Sequence, residues 1–175
     1  MSSFQVKKIT PSIGAEIISE NIFNDISSSL CDQIYEVLLE NKVIFFRNQK
    51  ISNDQHIKFA KSFGEIEPPH PIYPHVDNYP EIVLLENDEN RPPDTDVWHT
   101  DVTFRANPPF ASILYSKLIP SSGGDTLWAC LSTIYEALPE EIKNYLETLK
   151  AVHDMGDFRN TFVNNEPIGT AEKLN

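Results

Sequence analysis

The feature that most limits the fold of this chain is the shortness of its apolar segments. Some are continuous runs such as residues 43–46, others recur at helical spacing, and turn-forming residues separate them. No internal repeat or low-complexity tract interrupts this alternation. Short strands mixed with helices predict an α+β or mainly β architecture, a sandwich or barrel with helices packed outside. With 175 residues, the chain is expected to form a single domain spanning residues 1–175.

Two helices have clear start signals. Serines at 27–29 precede Leu30, Ile34, Val37 and Leu38, so a helix is predicted that ends near Asn41. Ser52 and Gln55 form a capping box for a second helix, which should run to Phe63 and stop at Gly64. A proline-rich loop is predicted at residues 68–80 and a tight turn at 121–125. The remaining predicted elements are helices around 134–138 and 140–149 and strands within 4–18 (with a turn at 11–14) and at 43–46, 82–85, 98–104, 110–117 and 126–129.

Charge and composition exclude several classes of partner. The formal net charge is −12, with 40% hydrophobic and 23% charged residues. Such a surface argues against nucleic acid and against a polybasic membrane contact, but a pocket's local field still allows an anionic small substrate. Cys31 and Cys130 form no disulfide framework, and the first eight residues have no apolar signal core, so a cytoplasmic location is expected.

The string W-H-T-D-V-T-F at residues 98–104 is the main chemical signal. On a strand, side chains at i and i+2 share one face, so His99 and Asp101 should converge. An imidazole, a carboxylate and a second imidazole make the facial triad of non-haem Fe(II) oxygenases. A surface hydrogen-bonding pair is the ordinary alternative. A Zn- or carbohydrate-binding β-sandwich that uses the pair structurally is a third reading.

Longer strings give the motif a context. They are F-G-E-I at 63–66, H-P-I-Y-P-H at 70–75, P-P-D-T-D-V-W-H-T-D-V-T-F at 92–104 and P-S-S-G-G-D-T-L-W at 120–128. In these strings the chain resembles the TauD/TfdA family of Fe(II)- and 2-oxoglutarate-dependent dioxygenases, over nearly its full length. The resemblance implies a double-stranded β-helix (a jelly-roll of the clavaminate synthase type). It also implies hydroxylation, with O₂, of a small anionic substrate such as taurine or another alkylsulfonate.

The same resemblance implies roles for eight residues. His99 and Asp101 match two catalytic iron ligands, and Thr126 matches a threonine that binds 2-oxoglutarate. Five further positions match the surroundings of the substrate: His70, Tyr73, Asp94, Thr95 and Val102. For Thr126 the alternative is an ordinary β-branched strand residue, and for His70 and Tyr73 it is aromatic packing within a proline-rich loop.

Thr95 departs from the family pattern, and the tryptophans and two of the histidines are expected to have structural roles. Thr95 stands where taurine-acting members have asparagine, and its short hydroxyl cannot make the same amide contacts, which speaks against taurine itself. Trp98 and Trp128 are expected in the core. His56 and His75 are expected on the surface or in a loop.

The resemblance also implies residues that this sequence lacks. The family's second iron histidine and its 2-oxoglutarate-binding arginine lie further downstream, and His153 and Arg159 match a middle region instead. We therefore expect a truncated member that carries the N-terminal portion of the fold only. Such a chain should be of low stability alone, with unpaired strand edges and exposed apolar side chains. It should form a homo-oligomer or associate with a missing C-terminal half. The alternative is a catalytically inactive remnant or a regulatory partner of a full-length paralogue.

Overall fold

The computed structural model describes residues 4–20, 22–69, 73–89 and 97–154. Their contacts group into two compact units. Unit 1 is Met1–Glu65 with Leu114–Lys150, and unit 2 is Ile66–Ile113 with Ala151–Asn175. Within the described residues the elements are of the α+β class, with the helices confined to unit 1.

Unit 1 is built on a small three-stranded sheet. Strand β1 (Gln5–Lys8) pairs antiparallel with β2 (Ala15–Ile18), and β2 pairs parallel with β3 (Ile44–Phe45), so the order is β1-β2-β3. The turn before β2 ends at Gly14, whose φ of 91° lies in the left-handed region that favours glycine. The strands and the turn predicted within residues 4–18 are thereby confirmed.

Helix α1 (Ser28–Asn41) connects β2 to β3 and begins as its sequence predicts. The Ser27 hydroxyl accepts a hydrogen bond from the Leu30 amide at 3.2 Å, which satisfies one of the free donors of the first turn. The helix ends at Lys42, whose amide donates to the Leu38 carbonyl at 2.7 Å. Both predicted boundaries are confirmed.

Helix α2 (Asn53–Lys61) has the predicted capping box. The Gln55 amide donates to the Ser52 hydroxyl at 3.1 Å, and the Ser52 amide donates to the Gln55 side-chain oxygen at 2.9 Å. The helix ends two residues before the predicted Phe63.

The core of unit 1 lies between the sheet and these two helices. It is a cluster of buried apolar side chains: Phe4, Ile17, Ile22, Phe23, Leu30, Ile34 and Phe59. Phe59 contacts Phe23 edge-to-face with ring centroids 4.8 Å apart and Phe63 with centroids 5.0 Å apart. Edge-to-face contact is a favoured geometry for aromatic rings, so the contact with Phe23 holds α2 against the segment between β2 and α1.

Two later helices also belong to unit 1. Helix α3 (Leu131–Glu136) and helix α4 (Glu140–Glu147) confirm the two helical segments predicted there. A hydrogen bond of 2.9 Å from the Tyr135 hydroxyl to the Glu147 carboxylate joins them. Residues 121–125 form the predicted turn, with Gly123 and Gly124 at φ of 78° and 70°. Among the described residues, no helix combines the length and apolar character needed to cross a bilayer.

Unit 2 contains a short hairpin. Strand β4 (His75–Val76) pairs antiparallel with β5 (Tyr79–Val83) through a turn in which Asn78 has a φ of 65°. The prediction of a loop at 68–80 and a strand at 82–85 is therefore wrong in its boundaries, because the first strand begins within the proline-rich segment. His75 lies in β4 rather than in a loop.

Three predicted strands are absent from the described residues. Residues 98–104, 110–117 and 126–129 are bends, turns or irregular chain. A strand exists only when its backbone groups pair with a neighbour, and the described residues supply no ladder partner for these segments. The predicted core tryptophans are exposed as well, Trp98 by 70% and Trp128 by 47%. Trp128 does contact the Phe45 ring, with centroids 5.2 Å apart.

Candidate metal site

His99 and Asp101 lie together in an irregular segment of unit 2, residues 97–105, which we call the 97–105 turn. His99 Nε2 is 3.3 Å from Asp101 Oδ1. The predicted convergence is therefore present, although it arises from a bend and not from a strand. The two side chains are 49% and 61% exposed, so an ion has open access to both donor atoms.

A backbone contact orients the imidazole. His99 Nδ1 is 2.9 Å from the Val97 carbonyl oxygen, which can only accept a hydrogen bond. Nδ1 therefore carries the hydrogen of this contact, and Nε2 faces Asp101, where the neutral ring can bind a cation and the protonated ring can donate to the carboxylate. Histidine ligands of metals in proteins are commonly held in this way through the second ring nitrogen.

The donor set suits a divalent cation. Two ligands on adjacent positions of a six-coordinate ion, each at roughly 2.1 Å, lie about 3 Å apart. The 3.3 Å between His99 Nε2 and Asp101 Oδ1 is close to that separation. Two lone-pair donors facing each other repel, and either a cation or a proton between them removes the repulsion. The pair therefore fits Fe(II) as two of its ligands.

The rest of the 97–105 turn is held by local contacts. The Arg105 amide donates to the Val102 carbonyl at 3.1 Å, and the Arg105 guanidinium forms an ion pair with Glu67. Val102 has a φ of 55°, which is uncommon for a β-branched residue and carries strain. This strained residue directly follows Asp101, at a position where the resemblance implies a substrate contact.

The other predicted site residues fall into two groups. Tyr73 is half-buried in unit 2, and Thr126 is exposed in unit 1. His70, Asp94, Thr95 and Arg159 lie outside the described residues. The roles implied for all of these positions remain predictions.

His153 does not complete the pair as a third ligand. Its Nδ1 lies 3.1 Å from the Thr103 hydroxyl. Across the described ranges, no three His, Cys, Asp or Glu side chains come together as a metal-binding group. The contact between His153 and Thr103 was not predicted from the sequence. The only signal was the A-V-H-D string at residues 151–154, whose spacing from Thr103 indicates nothing about contact.

Comparison with known proteins identifies the family to which the chain belongs. The family model described as "Taurine catabolism dioxygenase TauD, TfdA family" matches residues 5–173. An alkylsulfatase of Acinetobacter baylyi is 42% identical over 85% of this chain and 46% of its own length. An alpha-ketoglutarate-dependent sulfate ester dioxygenase of Pseudomonas putida is 39% identical over 85% of this chain and 48% of its own.

Solved structures give the same result for the fold. A taurine dioxygenase from Burkholderia xenovorans superposes with a TM-score of 0.71 at 38% identity, covering 83% of this chain and 51% of that one. The chain thus spans about half the length of the relatives that it matches.

Proposed function

The chain belongs to the TauD, TfdA family of taurine catabolism dioxygenases, and we propose that it supplies the N-terminal part of an Fe(II)- and 2-oxoglutarate-dependent dioxygenase site. The observation that carries the proposal is the pair His99 Nε2 and Asp101 Oδ1, 3.3 Å apart and open to solvent. The Pseudomonas putida relative, which is named as an alpha-ketoglutarate-dependent dioxygenase, supports it. So does the fold similarity to solved members, from which we infer that the whole protein is a double-stranded β-helix.

The residues of this chain would bind and orient the reactants. His99 and Asp101 hold the metal, and the Val97 carbonyl keeps the imidazole in the tautomer that leaves Nε2 free. The Thr126 hydroxyl donates to a carboxylate oxygen of 2-oxoglutarate. When bound, the metal supplies the activation of O₂ that, with decarboxylation of 2-oxoglutarate to succinate, hydroxylates a C–H bond of the substrate.

The proposed substrate is an alkyl sulfate ester or an alkylsulfonate. The names of two relatives refer to alkylsulfate and sulfate ester chemistry, and the similar solved structure is a taurine dioxygenase. Alkyl sulfates, sulfate esters and the sulfonate taurine share an anionic sulfur–oxygen head. The imidazole of His70 and the phenol of Tyr73 can donate hydrogen bonds to such a head, which Val102 would also border. Asp94 and Thr95 are proposed to lie near the rest of the substrate. Because Thr95 replaces asparagine, we expect simple alkyl substrates to be preferred over taurine.

The products identify the substrate class. Hydroxylation of the carbon next to a sulfate ester gives an aldehyde and sulfate, whereas hydroxylation next to a sulfonate gives an aldehyde and sulfite. One succinate and one CO₂ form per turnover in either case. Hexyl sulfate, hexanesulfonate and taurine should therefore be compared as substrates of this chain co-expressed with the complementary half of the domain. Succinate and the sulfur product, sulfate or sulfite, are measured for each. Activity on taurine alone would contradict the role assigned to Thr95.

A segment equivalent to the other half of the relatives is needed to complete the site. The described residues contain only two grouped ligands, and the triad needs a third. Unit 1 exposes large apolar side chains that such a segment would cover, including Leu118 at 91% and Leu114 at 71%. We therefore propose that these side chains bind the complementary half of the domain.

Mixing experiments test this completion directly. The part of the Acinetobacter relative that this chain does not match would be co-expressed with it, and association and succinate formation measured. Leu118→Glu should weaken association, while Leu39→Glu, on an exposed face of α1, should not. Equal binding by both variants would contradict the proposed surface.

The second candidate function is a non-catalytic remnant or a regulatory partner of a longer paralogue. It is favoured by the lack of a third grouped ligand in the described residues. Association with the complementary half without succinate formation would support the regulatory role. If the chain neither associates with the complementary half nor binds metal, the result would support the non-catalytic remnant.

A further inference from the structure

A chain of hydroxyl contacts links the candidate metal site to the segment that follows α4. The Thr100 hydroxyl donates to the Thr103 hydroxyl at 3.4 Å, and Thr103 Oγ1 is 3.1 Å from His153 Nδ1. Thr100 stands between His99 and Asp101 in the sequence. All of these residues belong to unit 2.

The contacts are mutually compatible. A threonine hydroxyl has one hydrogen to donate and two lone pairs to accept with. Thr103 can therefore accept from Thr100 and direct its own hydrogen to His153 Nδ1 when that nitrogen carries none. Linked hydrogen bonds polarise one another, so each contact strengthens its neighbour.

These hydroxyl contacts lie in the middle of the 97–105 turn, between the contacts at its two ends. Arg105 is tied to Glu67 and to Val102, which fixes the end of the turn. The Val97 carbonyl holds the imidazole of His99 at the beginning. The side-chain hydrogen bonds of Thr100 and Thr103 lie between these two ends, on either side of Asp101 in the sequence.

We propose that His153 is a positioning residue for the metal site and acts through the Thr103 hydroxyl. By restraining Thr103 and Thr100, it keeps the backbone between His99 and Asp101 in the arrangement that brings the two donor atoms to 3.3 Å. The proposal rests on the proposed function, since it takes the pair as metal ligands. It assigns a role to a histidine whose Nδ1 contacts Thr103 and not the His99–Asp101 pair.

Co(II) binding to the 175-residue chain co-expressed with the complementary half of the domain provides the test, because Co(II) can replace Fe(II) and its visible spectrum reports ligand geometry. The variants are His153→Leu and Thr103→Val, which remove the contact, the double variant, and His153→Gln and Thr103→Ser, which keep a hydrogen-bonding group. Circular dichroism spectra of the variants, compared with that of the wild type, provide the control for folding.

We expect a loss of Co(II) affinity in which the effects of the two substitutions are not additive. His153→Leu and Thr103→Val should each weaken Co(II) binding about threefold to tenfold and change the visible spectrum, which is the effect of losing one hydrogen bond. The double variant should bind no more weakly than either single variant, because both remove the same contact. His153→Gln and Thr103→Ser should bind within twofold of wild type.

Three other results would overturn the proposal in distinguishable ways. Binding by Thr103→Val that equals wild type would show that the hydroxyl carries no positioning role. Complete loss in His153→Leu with normal binding in Thr103→Val would make His153 a direct ligand. Failure of the wild-type chain to bind Co(II) at His99 and Asp101 would overturn the proposed function and this inference together.

Discussion

Substitution of Ile34 tests where the structure places its stabilising core. Ile34 is 1% exposed on the inner face of α1 and belongs to the buried cluster of unit 1. Ile34→Ala removes buried methyl and methylene groups and leaves a cavity, which typically costs about 2–5 kcal/mol, while Ile34→Val should cost about 0.5–1.5 kcal/mol. Domains are commonly stable by only about 5–15 kcal/mol, so the alanine variant should unfold at much lower urea concentration.

The matched control lies on the opposite side of the same helix. Leu39 is 41% exposed, and alanine is at least as good a helix former as leucine, so Leu39→Ala should change stability by less than about 0.5 kcal/mol. Urea unfolding followed by circular dichroism at 222 nm measures both. Equal losses for Leu39→Ala and Ile34→Ala would refute the assignment of the inner face of α1.

Three further outcomes are expected. Ser52→Ala should lose the cap of α2 and about 1 kcal/mol of unfolding free energy in the same urea assay. The hydrogen bond from Thr133 lowers the pKa of the Cys130 thiol, so iodoacetamide should modify Cys130 before the chain's other cysteine, which is buried; mass spectrometry detects the order. The hydrogen bond to Glu147 raises the pKa of Tyr135. The stabilisation of the folded state by this hydrogen bond should therefore be present below pH ~10 and lost as pH rises through the raised pKa. Wild type and a Tyr135→Phe variant should accordingly converge in stability at high pH.

The elements predicted correctly are those whose signals are local. The Ser27 cap, the capping box of Ser52 and Gln55, and the apolar spacing of α1 act within one or two helical turns, so the sequence contains everything needed to recognise them. The positive φ at Gly14 likewise follows from a turn of a few residues.

The failures concern structure that depends on distant partners. Residues 98–104 and 126–129 have strand-like patterns, yet a strand needs a hydrogen-bonded neighbour, and the described residues provide none. Trp98 and Trp128 are large and apolar, but burial requires a facing surface, and both are exposed. The relatives are about twice as long, and we expect their additional half to supply these neighbours.

The candidate site illustrates both situations. The i, i+2 spacing predicted that His99 and Asp101 would converge, and they do so without a strand, because a tight bend also brings alternate side chains together. The contact of His153 with Thr103 joins residues 50 positions apart. No periodicity in the sequence could indicate it.

Binding of Fe(II) and 2-oxoglutarate without oxygen tests the central claim most directly. Chelation of 2-oxoglutarate by Fe(II) in such a site gives a visible metal-to-ligand charge-transfer band. The band should form when the wild-type chain, or the control His56→Ala, is co-expressed with the complementary half of the domain, and it should disappear in His99→Ala and in Asp101→Ala prepared in the same way. Absence of the band in wild type, or its persistence in both ligand variants, would contradict the claim that His99 and Asp101 bind the catalytic metal.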